Sequence, residues 1–224
     1  MTKLAPYKSK LQLKAEGMLD EYGKAENLVD FIIDTGYFHT KDEHDLQVKS
    51  KPLPDKPYAR TYIHELVHEQ YVIVPKSRQM VITWLTMAYL VARLLTGSNL
   101  LIIVQTKKEE DAWSLVDRAK FTYDHLPAWI RKARPRVPAP VDSKGELSLP
   151  GTYSKLWGIP QGADVIRSNT VSIYYGDELD FQPESRASIK AAMPSIVGGG
   201  QFIGTSTVEL GGVMESLVNG KEEE

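Results

Sequence analysis

The chain has 224 residues and a formal net charge of −2, with 42% hydrophobic and 25% charged residues, so a folded core is expected and disorder throughout is excluded. The lack of cysteine excludes disulfides, cysteine-ligated zinc and thiol catalysis, and it suits a reducing cytoplasm. Met1 to Pro6 contain no apolar signal region, and the apolar run from Leu100 to Val104 is too short to span a bilayer. The net charge gives no global basic footprint, so any nucleic-acid contact has to be local.

Two helices are predicted at the start of the chain, over residues 9–36. Large apolar residues recur there at roughly helical spacing with lysine and glutamate between them, and Gly23 is expected to separate the two helices. The segment from His39 to Pro57 is polar and charged and contains three prolines, which predicts a linker or loop. We therefore expect an N-terminal helical segment and linker over residues 1–57.

The next segment, His64-Glu65-Leu66-Val67-His68, matches H-E-x-x-H, the pattern of zinc peptidases. On a helix both imidazoles would share one face, and Glu65 would act as a general base on a zinc-bound water. The residues that follow predict a strand and a loop, however, and not a helix with a third zinc ligand. We interpret the two histidines as surface residues, with a zinc peptidase as the alternative.

From Tyr71 onward, short apolar strands alternate with helices. The predicted strands are Tyr71–Val74, Leu100–Val104, Val171–Tyr175 and Gln201–Ile203, and the predicted helices are Thr83–Leu95, Lys107–His125 and Pro183–Ala192. This alternation predicts an α/β fold in which helices flank a mainly parallel sheet. Ligands bind at the carboxyl ends of the strands in such sheets, and Lys76 and Asp177 both fall at strand ends of this kind.

The loop after the first of these strands is one half of a predicted nucleotide site, because a strand, a loop and a helix N-terminus present amides to phosphate. Only Thr83 fits the P-loop pattern G-x-x-x-x-G-K-[ST], as a magnesium-binding hydroxyl, while Val81 stands in place of the second glycine and restricts the backbone. Lys76 would supply the phosphate-binding cation from the front of the loop. A basic turn before a core helix is the alternative. The candidate ATP-binding residues are Lys76, Ser77, Arg78, Gln79, Met80, Val81, Ile82 and Thr83.

The second half of the site is the run Val171-Ser172-Ile173-Tyr174-Tyr175-Gly176-Asp177-Glu178, a β-prone segment that ends in two adjacent carboxylates. This is the pattern of a Walker B strand, in which Asp177 would bind Mg²⁺ with Thr83 and Glu178 would activate water. Together the two halves predict hydrolysis of ATP with Mg²⁺. We expect a P-loop NTPase-like ATPase core over residues 58–220 and a frayed tail over residues 221–224.

Several motifs, in order, resemble those of the ATPase domain of the large terminase subunit, the DNA-packaging motor protein of tailed bacteriophages. The resemblance extends from about Pro54 to Val218. It includes a variant Walker A, a helix followed by Leu-Pro-x-Trp, an Ile-Arg-Gly-like segment and a coupling motif. The matching segments are Lys76 to Trp84, Ala112-Trp113 through Leu126-Pro127-Ala128-Trp129, Ile166-Arg167-Ser168 and Gly204-Thr205-Ser206-Thr207.

The resemblance implies roles for residues outside the two halves of the site. Arg167 would reach the ATP of a neighbouring subunit and stabilise the transferring phosphoryl group, with a salt bridge at the edge of the core as the alternative. Thr205, Ser206 and Thr207 would couple the ATP site to DNA movement, with ordinary strand-end hydroxyls as the alternative. The implied partners are double-stranded DNA, the small terminase subunit and the portal protein of the procapsid. The implied assembly is a ring homo-oligomer on the portal or a monomer in isolation, in the host cytoplasm.

Two departures from the family's pattern limit these expectations. Val81 stands where most members carry glycine, so a catalytically weak or inert assembly module with a nucleotide-binding fold is an alternative function. The family protein continues into a ribonuclease-H-like nuclease domain, and we expect none here, because nothing after Gly220 could supply its metal-binding carboxylates.

A basic run around Pro135 has two interpretations. It consists of Arg131, Lys132, Arg134 and Arg136. Clustered cations neutralise phosphates, so the run could face DNA or a neighbouring subunit. The alternative is a solvated loop.

Overall fold

The computed structural model describes residues 10–41, 50–76, 81–138 and 143–219, and within these ranges six strands form a central sheet. In chain order the strands are β1 (His39–Thr40), β2 (Lys51–Pro52), β3 (Tyr71–Pro75), β4 (Leu101–Thr106), β5 (Glu146–Leu149), β6 (Ser154–Pro160), β7 (Ile173–Asp177) and β8 (Gln201–Ser206). In the sheet, β3, β8, β7, β4 and β6 lie side by side in that order and run parallel. β5 pairs antiparallel with β6 at one edge, and β1 and β2 form a separate antiparallel pair. The predicted mainly parallel α/β fold is confirmed.

Helices cover both faces of the sheet. In chain order they are α1 (Lys10–Tyr22), α2 (Ala25–Ile33), α3 (Pro57–His68), α4 (Ile82–Thr96), α5 (Glu109–Asp124), α6 (Ala128–Ala133), α7 (Asp164–Arg167), α8 (Ser185–Val197) and α9 (Val213–Asn219). Residues of α1 to α6 form one core with Tyr175 and Ile203, and residues of α7 to α9 form the other with Tyr174 and Phe202. Adjacent strand residues alternate between the two cores because their side chains point to opposite faces. None of the described helices is long and apolar enough to cross a membrane.

The helix α4 contains Ile82 and Thr83, the last two residues of the segment predicted to bind ATP. It is apolar around most of its circumference, and all but three of its residues are buried, as expected for a helix enclosed by other elements. Its polar side chains make internal bonds: Thr86 Oγ1 donates to the carbonyl of Ile82 at 2.9 Å, and Tyr89 OH donates to Gln201 Oε1 at 2.8 Å. Near the N-terminus of α4, Thr83 Oγ1 lies 3.1 Å from Nζ of Lys76, the residue that follows β3.

The predicted N-terminal helices are confirmed as α1 and α2, with Gly23 in the turn between them. Leu19 and Phe31 belong to the same core as α4, so these helices pack directly on the rest of the chain. Phe38 and Leu53, at either end of the predicted linker, are also buried. The division of the chain at residue 57 stays a prediction.

Candidate functional site

The carboxyl ends of three parallel strands bring predicted site residues together. Thr205 on β8 lies in register between Val74 of β3 and Asp177 of β7. Lys76 directly follows β3, and its backbone N–H donates to the carbonyl of Ser206 at 2.9 Å. Parallel strands end at the same edge of a sheet, and ligands bind there in α/β proteins. The candidate site therefore lies at this edge.

Asp177 is the centre of the cluster. Its Oδ1 accepts hydrogen bonds from Lys76 Nζ at 2.7 Å, from Thr205 Oγ1 at 2.7 Å and from the backbone N–H of Glu178 at 3.1 Å. Its side chain is only 8% exposed, and a carboxylate is tolerated at such depth because it is paired and hydrogen-bonded. These three bonds all fall on Oδ1.

Lys76 is the internal counter-ion of this carboxylate. Its Nζ lies 2.7 Å from Asp177 Oδ1, 3.1 Å from Thr83 Oγ1 and 3.5 Å from Glu178 Oε1. The lysine side chain is as deeply buried as that of Asp177, at 8% exposure. A single ammonium group therefore pairs closely with Asp177 and more distantly with Glu178, from the front of the loop, where the sequence predicts the phosphate-binding cation. Its flexible four-carbon stem allows it to move to another anion.

Thr83 and Asp177 also fit a magnesium ion by the chemistry of their donor atoms. Mg²⁺ takes hard oxygen ligands, usually one or two carboxylates from the protein, and completes its shell with water and substrate phosphate. Thr83 Oγ1 and Asp177 Oδ1 both lie within 3.1 Å of the same lysine nitrogen, so they face one small space. These two residues would hold the ion once Lys76 has moved away.

Buried hydroxyl groups lie beneath Asp177. Tyr175 OH lies 3.1 Å from Thr205 Oγ1, and because Thr205 gives its only proton to Asp177, Tyr175 is the donor. Burial raises the pKa of Tyr175 well above its ordinary value, and the charge of Asp177 adds to the shift, so the phenol stays protonated. Sequence reasoning missed this contact, although strand periodicity places residues 175 and 177 on one face.

Glu178 differs from its neighbour in both backbone and exposure. Its backbone is left-handed, with φ 54° and ψ 48°, which costs a non-glycine residue about 1–3 kcal/mol and is found mostly where function requires it. Its side chain is 41% exposed, in contrast to the buried Asp177. The turn thus separates two adjacent carboxylates, one facing the interior and one open to a water molecule.

The remaining residues of the predicted loop are described only in part. The predicted phosphate contacts of Ser77, Arg78, Gln79 and Met80 lie outside the described residues. Ile82 begins α4 and is buried. Val81 precedes it with φ 25° and ψ 10°, a region that β-branched residues rarely adopt. The strained valine occupies the position at which the P-loop pattern has glycine.

Replacing Val81 by glycine is expected to give a more stable protein than replacing it by alanine, by about 1 kcal/mol in the free energy of unfolding. Both variants lose the valine side chain, so their difference isolates a Cβ atom at positive φ. At positive φ that atom costs roughly 1–2 kcal/mol. This cost exceeds the roughly 0.5–1 kcal/mol by which glycine ordinarily destabilises a protein relative to alanine. Urea unfolding measures the difference.

The control for this pair is Ala187→Gly on the exposed face of α8. There the ordinary order holds, and glycine should be the less stable residue. If alanine proves more stable than glycine at position 81 as well, the backbone there is not strained.

Thr205, Ser206 and Thr207, which the resemblance implies as coupling residues, lie at and after the end of β8. Thr205 contacts Asp177 directly, as described above. Ser206 Oγ accepts the backbone N–H of Asp180 at 3.1 Å and donates to the carbonyl of Thr207 at 2.9 Å. The end of β8 is therefore bonded to the turn that carries Glu178, at two adjacent residues.

Arg167 is not part of this cluster. It lies in α7, and its side chain is 62% exposed and pairs with Asp164 at 3.3 Å, three residues earlier in the chain. Exposed pairs of this kind contribute little to stability. Arg167 lines an open cleft of about 570 Å³ between α7 and the C-terminal half of α8, together with Ser168, Lys190 and Ser195. Lys76 and Asp177 do not line the cleft, so the arginine is separate from its own chain's candidate site.

The H-E-x-x-H segment forms the end of α3, as its spacing suggested. The rings of His64 and His68 lie 4.3 Å apart between centroids, and His64 Nδ1 lies 3.6 Å from Glu65 Oε1. Among the described residues, no group of three or more histidine, cysteine, aspartate or glutamate side chains could hold a metal ion. A catalytic zinc site needs three protein ligands. The described residues therefore favour the interpretation of His64 and His68 as surface histidines.

The basic run is largely occupied within the fold. Arg134 pairs with Glu16 at 3.3 Å and donates to the carbonyl of Leu95 at 3.1 Å, which ties α1 to α4. Arg136 pairs with Asp124 at 3.0 Å. These contacts favour a structural role for the two arginines over a phosphate-binding surface.

Comparisons with known proteins identify the fold. No protein-family model and no curated protein matches the chain, but several solved structures of phage large terminases do. The large terminase of bacteriophage HK97 gives a TM-score of 0.65 at 14% identity, over 88% of this chain and 41% of that one. The large terminase ATPase domain of Thermus phage P74-26 gives 0.57 at 18% identity, over 70% and 66%.

The large terminase of a thermophilic bacteriophage, in complex with ADP, gives a TM-score of 0.53 at 12% identity, over 68% of this chain and 39% of that one. The chain therefore has the fold of phage large terminase ATPase domains, as its motifs indicated. It spans less than half the length of the HK97 protein and of the ADP-bound terminase.

Proposed function

We propose that this chain is the ATPase domain of a phage DNA-packaging motor, in which ATP hydrolysis drives double-stranded DNA into a procapsid. The observation that carries the proposal is the meeting of Lys76, Thr83 and Asp177 at the carboxyl edge of a parallel sheet, with Glu178 open beside them. The fold shared with phage large terminases supports the packaging role.

In the proposed reaction, Lys76 leaves Asp177 and binds the β- and γ-phosphates of ATP together with the loop amides of residues 77–81. Asp177 and Thr83 would hold Mg²⁺, which when bound would supply positive charge beside the phosphates. Glu178 orients a water molecule and accepts its proton as the water attacks the γ-phosphate. The buried Tyr175–Thr205 pair keeps Asp177 in position throughout.

Thr205 and Ser206 would then transmit the change at Asp177 and Glu178 toward the surface that holds DNA. The proposed partners are double-stranded DNA, the small terminase subunit and the portal protein, in the host cytoplasm. Arg167 would act on the ATP of a neighbouring subunit, since its exposure and its separation from its own chain's site suit contact between subunits. A ring on the portal supplies such neighbours.

Release of phosphate from ATP by the purified chain, with Mg²⁺ and with a chelator, tests the ATPase. Packaging of DNA into procapsids by the assembled motor that contains this chain tests the finer role. Magnesium-dependent turnover is the expected result. The strained backbone of Val81 favours one alternative, an inert assembly module that keeps the fold. If ATP binds but is not hydrolysed, either by the purified chain or by the assembled motor, that alternative is correct.

Replacing Lys76 by alanine is expected to weaken ATP binding roughly 10- to 100-fold, since it removes a charged hydrogen-bond donor to phosphate. Turnover should fall with binding. The free protein should also lose stability, because the buried carboxylate of Asp177 loses its counter-ion. Calorimetric titration and thermal unfolding measure the two effects.

Arg78→Ala is the matched comparison, because it removes a second cation from the same loop. We expect a smaller effect on binding and none on stability. If Lys76→Ala changes neither binding nor turnover while Arg78→Ala abolishes both, the two residues have exchanged roles.

A further inference from the structure

Asp180 joins the turn that carries Glu178 to the loop after β8. It lies in a one-turn 3-10 helix, Leu179–Phe181, directly after Glu178. Its Oδ2 accepts the backbone N–H of Glu209 at 2.9 Å, and its Oδ1 accepts that of Met214 at 2.7 Å. The two oxygens of one carboxylate therefore bind the loop after β8 near its middle and the first turn of α9. We call residues 207–214, which are this loop and the first two residues of α9, the anchored loop.

The anchored loop wraps closely around this carboxylate. A Cβ atom at Gly212 would lie 2.5 Å from Asp180 Cγ and from Oδ2, a distance that real Cβ atoms do not adopt, so only glycine fits here without displacing the aspartate. The backbone N–H of Gly212 donates to the carbonyl of Glu209 at 3.0 Å. The backbone of the loop therefore lies against the carboxylate of Asp180, with no room for a larger residue at position 212.

The turn that carries Glu178, on the other side of Asp180, is also held by hydrogen bonds. The backbone N–H of Phe181 donates to the carbonyl of Glu178 at 3.0 Å, and the N–H of Asp180 donates to Ser206 Oγ. Glu178 and Asp180 therefore belong to one hydrogen-bonded turn. A displacement of Glu178 would therefore reach Asp180 and the two amides that it binds.

The anchored loop presents an apolar tip to solvent. Leu210 is 99% exposed and Val208 is 49% exposed, although the loop is internally ordered. The backbone N–H of Gly211 donates to Glu215 Oε2 at 2.7 Å, and Met214 is fully buried. An ordered loop that is bonded to the Glu178 turn and exposed at its tip is suited to pass on a change in the nucleotide site.

We propose that Asp180 is a positioning residue that makes the anchored loop follow the nucleotide state at Glu178. This inference rests on the proposed function. The connection is separate from the contacts of Thr205 and Ser206 on β8, because it runs through side-chain bonds to the loop backbone beyond the strand. Coupling of this kind is established by showing that two sites bias one element, and the loop amides report on it directly.

Hydrogen exchange at the backbone amides of Glu209 and Met214 tests the proposal. It is measured with and without a non-hydrolysable ATP analogue and Mg²⁺, while calorimetry follows binding of the analogue. In the wild type we expect the analogue to change the protection of both amides several-fold. In Asp180→Asn, one acceptor oxygen becomes an NH₂ group, so one amide should lose protection and the response to the analogue should disappear. Affinity for the analogue should stay unchanged.

Three further variants separate coupling from loop order. Gly212→Ala pushes the aspartate away from the loop side and should behave like Asp180→Asn, which also covers the case that one of the two fails to fold. Glu215→Ala removes the side-chain acceptor of the Gly211 N–H and leaves both bonds of Asp180 in place, so it should raise exchange but keep the response. Gly151→Ala, where a Cβ meets nothing within 4 Å, should match the wild type.

The outcomes distinguish this inference from the function on which it rests. Absence of analogue binding in the wild type would overturn the proposed ATPase and the inference together. Binding with no change at the two amides, or a response that persists in both Asp180→Asn and Gly212→Ala, would overturn the inference alone.

Discussion

Replacing Glu178 by glutamine should abolish ATP turnover and leave nucleotide binding nearly intact. The amide keeps the shape of the side chain but cannot accept a proton from water, and loss of a general base lowers rates by about 10²–10⁴-fold. Nucleotide binding should be spared because Glu178 contributes little to the position of Lys76. The lysine Nζ lies 2.7 Å from Asp177 Oδ1 but 3.5 Å from Glu178 Oε1. Phosphate release and analogue titration measure the two quantities.

Glu184→Gln is the matched control, since it makes the same change at an exposed carboxylate just before α8. It should leave turnover unchanged. Hydrolysis by Glu178→Gln at the wild-type rate would remove Glu178 as the base, and with it the interpretation of β7 as a Walker B strand.

Arg167 should act only between subunits, so the isolated chain should be a slow ATPase whose activity per molecule rises with concentration or on assembly. An arginine supplied in trans contributes on the order of 10³-fold or more to phosphoryl transfer. The side chain of Arg167 is exposed, pairs with Asp164 and lines a cleft whose lining does not include Lys76 or Asp177, as expected for a residue that contacts a neighbouring subunit. Turnover measured across a concentration series shows the effect.

Mixing Arg167→Ala and Glu178→Gln subunits gives the sharper experiment. Each variant is inactive alone, but a mixed interface joins an intact Glu178 to a neighbour's intact Arg167 and should recover part of the activity. Asp164→Asn tests the exposed pair separately and should leave assembled turnover near the wild type. No recovery in assemblies shown to be mixed, together with turnover independent of concentration, would leave Arg167 with a structural role.

Periodicity predicted most of the sheet and helices, but not their ends. The strand predicted at Val171 begins at Ile173, because Val171 instead donates its N–H to Ser195 Oγ. The helix predicted to end at Ala192 continues to Val197 through Pro194, since a proline near the last turn forfeits only one backbone bond. β5 and β6 were missed, as their short mixed runs resemble loops until β6 pairs with β4 and β5 pairs with β6.

At the site, local pattern predicted residue types but not the contacts between distant segments. The front-of-loop position of Lys76 and the two carboxylates of the 177–178 pair could be seen in the sequence. The separation of Asp177 and Glu178 into a buried and an exposed group depends on a left-handed residue that no local pattern indicated. The role of Asp180 depends on Glu209 and Met214, whose backbone amides have no signature in sequence.

The pairing of β3 with β8 also determines when in folding the site can form. This pairing joins Tyr71 to Phe202, and Lys76 and Asp177 are 101 residues apart along the chain. Contacts between such distant segments form slowly, because the entropy of closing the intervening chain is lost before the contacts stabilise it. On the ribosome, Lys76 emerges long before Thr205. A growing chain therefore has no complete nucleotide site until β8 has been synthesised and has inserted between β3 and β7.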